Sequence, residues 1–172
     1  MTSPRVVLVG TMGAGKTTVG RRLAEQWGVG FRDSDLDVEA REGRSVSDIF
    51  VDSGEAAFRE LEREAVLAAL TEHGGVLALG GGAVMDESTR SALAGHRVVF
   101  LKVGLSDAAQ RVGLGVSRPL LLGNVRGRIK VLIDERTPIY ESLATEVVET
   151  DGLTVDEVVG QVTSVIEAGA HG

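Results

Sequence analysis

The chain has 172 residues, 43% of them hydrophobic, no cysteine and a formal net charge of -7. This length and apolar content suit one folded domain and exclude a disordered chain. The missing thiol excludes disulfides, thiolate metal sites and a cysteine nucleophile, and the acidic balance argues against a nucleic-acid-binding surface. No apolar stretch is long enough to span a membrane, and none at the N-terminus reads as a signal peptide, so a reducing cytoplasm is the expected setting.

From the N-terminus, residues 6–9 (VVLV) form a short continuous apolar run, the pattern of a strand buried on both faces. The stretch 10–18, GTMGAGKTT, joins it to a helical pattern over 16–27, and 30–33 reads as a second strand. Helical patterns follow at 35–42, at 46–52 behind a Ser45 cap with Asp48 three residues on, and at 55–70. Strand signals return at 76–79, 98–103 and 146–149, with helices between them. A last helix starts at Thr154, where Glu157 completes a capping-box pattern, and runs to about residue 168. Strands alternating with helices at this spacing predict an α/β fold, a doubly wound parallel sheet with helices on both faces. No repeat, linker or low-complexity segment divides the chain, so residues 1–172 are expected to form a single domain.

Gly10, Gly15, Lys16 and Thr17 satisfy G-x-x-x-x-G-K-[ST] between a strand and a helix. Such a turn points the backbone N–H groups of Gly13, Ala14, Gly15, Lys16, Thr17 and Thr18 into one concavity at a helix N-terminus, where phosphates bind. The lysine reaches the outer phosphates and the threonine hydroxyl serves Mg²⁺, so a nucleoside triphosphate with magnesium is expected.

Other candidates fall at strand ends or on helices. Asp33-Ser34-Asp35 ends the second strand, where one carboxylate can serve Mg²⁺ and the other a substrate hydroxyl; an exposed turn with Asp33 or Ser34 capping the next helix also accounts for it. Gly80-Gly81-Gly82 implies either a close backbone approach or a plain flexible turn. Arg59 has Glu55 four residues before it and Glu62 three after, the pattern of a solvated ion-paired face, and Arg136, just before Pro138, reads equally as a surface arginine. Arg111 and Arg118 flank or fall in an aperiodic, glycine-bearing segment, 112–124, expected to be a lid. His73, His96 and His171 have no ligand or triad spacing, and Trp27 is expected to pack where the first helix ends.

Taken together and in this order, GTMGAGKTT, DSD, GEAAFRELE, LALGGGAV, RPLLLG and the arginine of ERTPIY resemble the shikimate kinases, from about residue 6 to the end of the chain. The resemblance implies a five-stranded parallel sheet of the nucleoside-monophosphate-kinase type and transfer of the γ-phosphoryl of ATP to the 3-hydroxyl of shikimate. It implies that Asp35 holds the substrate hydroxyls and is the proposed base, and that Asp33 supports Mg²⁺. Arg59 and Arg136 would bind the shikimate carboxylate in a pocket completed by Gly80 to Gly82. Arg118 would close over the phosphates from the lid, and Arg111 would lie against adenine. The chemistry agrees, because a carboxylate calls for guanidinium forks and a hydroxyl for a carboxylate acceptor. One departure is Asp151-Gly152-Leu153-Thr154, with no basic residue where some relatives carry arginine beside the adenine. A gluconate-type kinase and a non-enzymatic nucleotide switch are the rival readings. The expected partner is shikimate alone, bound by a cytoplasmic monomer with no nucleic acid or membrane.

Overall fold

The computed structural model describes residues 2–115 and 125–170. The elements are β1 (Val6–Val9), α1 (Lys16–Trp27), β2 (Phe31–Asp33), α2 (Ser34–Glu42), α3 (Val46–Glu72), β3 (Val76–Ala78), α4 (Glu87–Leu93), β4 (Val98–Lys102), α5 (Leu105–Gly115), α6 (Val125–Leu143), β5 (Glu146–Glu149) and α7 (Val155–Ala170), with a 3₁₀ turn at Ala83–Met85. The first and last strands have the expected bounds, and the other three are each one residue shorter than expected. Of the segment expected to be a lid, residues 112–115 continue α5 in spite of their glycines. The rest of that segment, with Arg118, lies outside the described residues.

All strands pair in parallel, in the order β2-β3-β1-β4-β5. Leu8 of β1 and Asp33 of β2 are both level with Ala78 of β3. Three neighbouring strands therefore end together, and the loops carrying GTMGAGKTT, DSD and GGG leave the same edge of the sheet. This is where ligands bind in open α/β sheets.

The apolar strands alternate between two cores. Val6 and Leu8 face α1 and α7 through Val19, Leu23, Val158 and Val162, whereas Val7 and Val9 face Val66, Leu70, Leu93 and Tyr140. Trp27 packs at the edge of the first core, as expected, beneath the guanidinium of Arg5, 4.3 Å from the ring centre. A third, smaller core joins α2 to α3 through Val38, Ile49, Phe58 and Ala65.

Local signals explain where the helices begin and break. Ser45 accepts from Asp48 N–H at 3.1 Å, and Thr154 and Glu157 exchange backbone-to-side-chain bonds at 3.1 and 3.2 Å, the expected capping box. The two helical patterns of 46–70 lie in one element interrupted at Gly54, whose φ of 87° and ψ of 168° are far from helical and favour glycine.

Candidate active site

The cradle is built by backbone geometry. Gly13 and Gly15 take φ values of 83° and 87°, a left-handed conformation that winds the chain into α1 and leaves first-turn amides facing the cleft. Lys16 Nζ donates to Gly10 O at 2.7 Å and Thr11 O at 3.2 Å, so the ammonium is held inside the loop it belongs to. Enclosure pushes its pKa down from 10.5 to about 8, against the pull of the Asp35 and Asp33 carboxylates.

The two readings of DSD describe the same residue from two sides. Asp33 Oδ1 caps α2, accepting from Asp35 N–H at 2.8 Å and Leu36 N–H at 3.2 Å, while its Oδ2 accepts from the Thr17 hydroxyl at 3.1 Å. The cap locks the carboxylate, and the free side of the carboxylate faces the cradle. Asp35 lies in the same cleft, and no described residue donates a hydrogen bond to its carboxylate. Burial, then the nearby Asp33 charge, raises its pKa above 3.8, and Lys16 and Arg59 oppose the rise.

Each glycine of the triple-glycine loop is packed against a different charged side chain, which rules out a plain flexible turn. A Cβ on Gly80 would lie 2.5 Å from Asp35 Oδ1, one on Gly81 3.1 Å from Arg136 Nη1, and one on Gly82 2.5 Å from Arg59 Nη2. The glycines thus let three side chains from α2, α3 and α6 converge on one stretch of backbone.

The two arginines that read as surface residues are each partly buried. Arg59 does pair with Glu62 Oε1 at 2.7 Å and lies 3.7 Å from Glu55, but the Glu62 side chain is only 4% exposed while Glu55 is 68% exposed, so the arginine bridges a buried partner and a solvated one. Burial raises the Glu62 pKa even though Arg59 holds it down. Arg136 has a buried Nε with no hydrogen-bond partner among the described residues. An unpartnered buried guanidinium N–H is costly in a folded protein and points to a ligand acceptor.

Arg111 ties the donor side together, giving bonds to Gly13 O at 2.9 Å and Thr150 O at 3.2 Å. The segment without a basic residue is anchored by reciprocal bonds: Gly104 N–H donates to Asp151 Oδ1 at 2.8 Å and Gly152 N–H to Asp107 Oδ2 at 2.9 Å. It presents Leu153 and Val155 to the cleft in place of a guanidinium. The whole cleft encloses about 810 Å³ and runs from this apolar end past the cradle to Phe50, Phe58, Arg59 and Arg136. Lys16, Arg59, Arg111 and Arg136 line it together with the carboxylates of Asp33, Asp35 and Glu62, so four cationic groups are gathered in one cleft of a chain of net charge -7.

Sequence reasoning missed three supports of the glycine loop. Ser34 Oγ accepts from Gly80 N–H, the Tyr140 hydroxyl donates to Gly81 O, and Arg90 Nη1 donates to Val84 O and Met85 O just beyond. Only Ser34 left a trace, as the residue between two candidate carboxylates.

The strand order, the phosphate cradle and the acidic pair at the next strand end define a P-loop phosphotransferase. A shikimate kinase family model matches residues 12–167. A shikimate kinase of Thermobifida fusca is 60% identical over 154 residues, covering 90% of each chain. The structure of a shikimate kinase from Acinetobacter baumannii in complex with shikimate superposes with a TM-score of 0.89 at 33% identity, covering 98% of this chain and 95% of that one. A gluconokinase from Sinorhizobium meliloti, at 19% identity and a TM-score of 0.62, shares the fold alone. The chain belongs to the shikimate kinase family.

Proposed function

We propose that this protein transfers the γ-phosphoryl group of ATP to the 3-hydroxyl of shikimate, with the labour divided among the cleft residues as follows. Family membership makes it an ATP-dependent kinase acting on a hydroxyl of shikimate, with Mg²⁺. The cradle amides from Gly13 to Thr18 and Lys16 hold the phosphates, Arg111 steadies the cradle at its adenine end, and Leu153 and Val155 offer the base an apolar wall. Arg118, outside the described residues, is assigned to the phosphates on the resemblance alone.

The hydroxyl of Thr17 and the Asp33 carboxylate are hard oxygen donors side by side at the cradle and suit Mg²⁺. Among the described residues no cluster of three acidic or histidine side chains could hold a metal, so phosphates and water would complete the ion's shell. When bound, the ion neutralises charge on the outer phosphates.

At the acceptor end, Arg136 and Arg59 grip the shikimate carboxylate, and Asp35 orients the reacting hydroxyl and accepts its proton. Arg136 Nε carries this reading, because a bound carboxylate satisfies it and a neutral polyol end, as in gluconate chemistry, has less reason to meet two guanidinium groups. The lowered pKa of Lys16 and the raised pKa of Asp35 suit a cleft awaiting anions, where adding phosphate restores the ammonium and the base remains able to take a proton. One chain supplies all the candidate groups, and no helix among the described residues is long and apolar enough to cross a membrane. We therefore also propose a monomer at work in the cytoplasm.

Lysine in place of Arg59 or Arg136 is expected to weaken shikimate binding by about tenfold or more, since a point charge replaces a two-pronged donor, with ATP affinity unchanged. Titration of each variant with both ligands checks this, and equal weakening of the two ligands contradicts the division of the cleft. An ADP-release assay with shikimate, with gluconate and without acceptor tests the reaction itself.

A further inference from the structure

We infer that Ser34 and Tyr140 are positioning residues, which clamp the triple-glycine loop so that the two ends of the acceptor pocket keep a fixed separation. Both are fully buried, at 0% exposure, and neither is among the groups assigned to substrate. Ser34 Oγ accepts from Gly80 N–H at 2.9 Å. From the opposite side, the Tyr140 phenol donates to Gly81 O at 2.5 Å. The Gly80-Gly81 unit is thus held at its first N–H and its last C=O, while Gly81 and Gly82 N–H are given to no backbone acceptor among the described residues.

The clamps are attached to the residues that matter. Ser34 immediately precedes Asp35, and Tyr140 lies one helical turn beyond Arg136 on α6. The loop glycines in turn face those same neighbours, Gly80 against Asp35 and Gly81 against Arg136. A continuous run of covalent and hydrogen bonds, Asp35 through Ser34, Gly80, Gly81 and Tyr140 to Arg136, therefore spans the pocket from the group that takes the hydroxyl to the group that takes the carboxylate. Glycine has the widest backbone freedom of any residue, so without side-chain anchors this stretch would sample many peptide orientations. Burial pushes the Tyr140 phenol up to about 12 despite the nearby Arg136 charge, so it stays protonated and remains a donor throughout the working range. Its ring is seated against Phe100, with centroids 5.0 Å apart.

The inference rests on the proposed acceptor site, and the wild-type enzyme separates the two: absence of shikimate phosphorylation there overturns the site, whatever the variants do. Tyr140→Phe and Ser34→Ala are each expected to raise the KM for shikimate about three- to tenfold, the loss of one hydrogen bond felt equally in ground and transition states, so kcat changes by less than about threefold. The Kd for ATP stays as in wild type. The double variant is expected to show less than the product of the two single effects, because one lost anchor already frees the loop that the other holds. Phe100→Leu, which loosens the ring but keeps the hydroxyl, is expected to lower the thermal midpoint and leave the shikimate KM alone. The inference is overturned if Tyr140→Phe lowers the thermal midpoint without moving the shikimate KM, if it weakens ATP and shikimate equally, or if Phe100→Leu raises the shikimate KM as much. Should Ser34→Ala not fold, Tyr140→Phe, which removes a single oxygen, decides alone.

Discussion

Replacing Lys16 by methionine is expected to lower kcat by about 10³-fold, the scale seen when a preorganised donor is removed from developing charge. Methionine has nearly the same reach and no charge, so the expected secondary structure is unchanged by circular dichroism. Near-normal turnover in a folded variant would contradict the role given to the cradle. The same side chain carries a pH signature. With its pKa lowered to about 8 in the ligand-free protein, Lys16 is about half charged at pH 8, and a bound triphosphate favours the ammonium. ATP binding at that pH therefore takes up about half a proton, and close to none at pH 6.5, where the group is already charged. Calorimetry in buffers of different ionisation enthalpy, with Mg²⁺ saturating, reads this uptake directly. It should vanish in Lys16→Met.

Asp35→Asn is expected to lower kcat by about 10²- to 10⁴-fold, the usual contribution of a positioned base. The amide keeps the shape and lacks the ability to take the proton, so excess Mg²⁺ gives no rescue. Asp33→Asn should behave differently. Asparagine still caps α2, and the main loss is a charged oxygen beside Thr17, so the variant needs more Mg²⁺ and recovers rate when it is supplied. Because Asp35 has its pKa raised above 3.8, protonation removes the base as pH falls through that raised value. The acid limb of kcat/KM should thus lie above 3.8, the ordinary aspartate value, and be lost in Asp35→Asn. Initial rates against pH, Mg²⁺ and shikimate decide these points; rescue of Asp35→Asn by Mg²⁺ would exchange the two roles.

Much of this was readable because parallel strands buried on both faces leave unbroken apolar runs, as in VVLV, and because glycine punctuates where the backbone turns. The gap between the helical patterns at 46–52 and 55–70 anticipated the break that falls at Gly54, and Ser45, Thr154 and Asp33 announced helix starts through chemistry confined to a few residues. Strand order is not local. Nothing in VLA says that β3 inserts between β1 and β2, yet that insertion is what brings three loops to one edge. Arg59 and Arg136 were ambiguous for the same reason: an ion-paired helix surface and a guanidinium aimed into a cleft have one sequence pattern, and only tertiary burial separates them. Ser34 and Tyr140 look like an ordinary cap and an ordinary core residue until their oxygen atoms are seen on the glycine loop. Residues 112–115 read as aperiodic because of their glycines, yet they lie within α5, since a glycine weakens a helix without forbidding it.

The small core of Val38, Ile49, Phe58 and Ala65 shares no residue with the two cores that flank the sheet. Phe58 of this core lies beneath the Arg59 guanidinium, which is 5.4 Å from the ring centre. The stretch that carries Asp35 and Arg59 thus rests on a core apart from that of the sheet, while the glycine loop and Arg136 stay anchored to the sheet core through Leu79, Ala83 and Tyr140, so α2 and the start of α3 are expected to open by local unfolding before the rest of the pocket does. Damage to this small core has a particular phenotype: an enzyme that keeps its melting transition and its grip on ATP and has lost its acceptor. Ile49→Ala should belong to that class, with amide exchange quickened in α2 and the start of α3 and unchanged in β1, whereas Leu23→Ala in the larger core should quicken exchange everywhere.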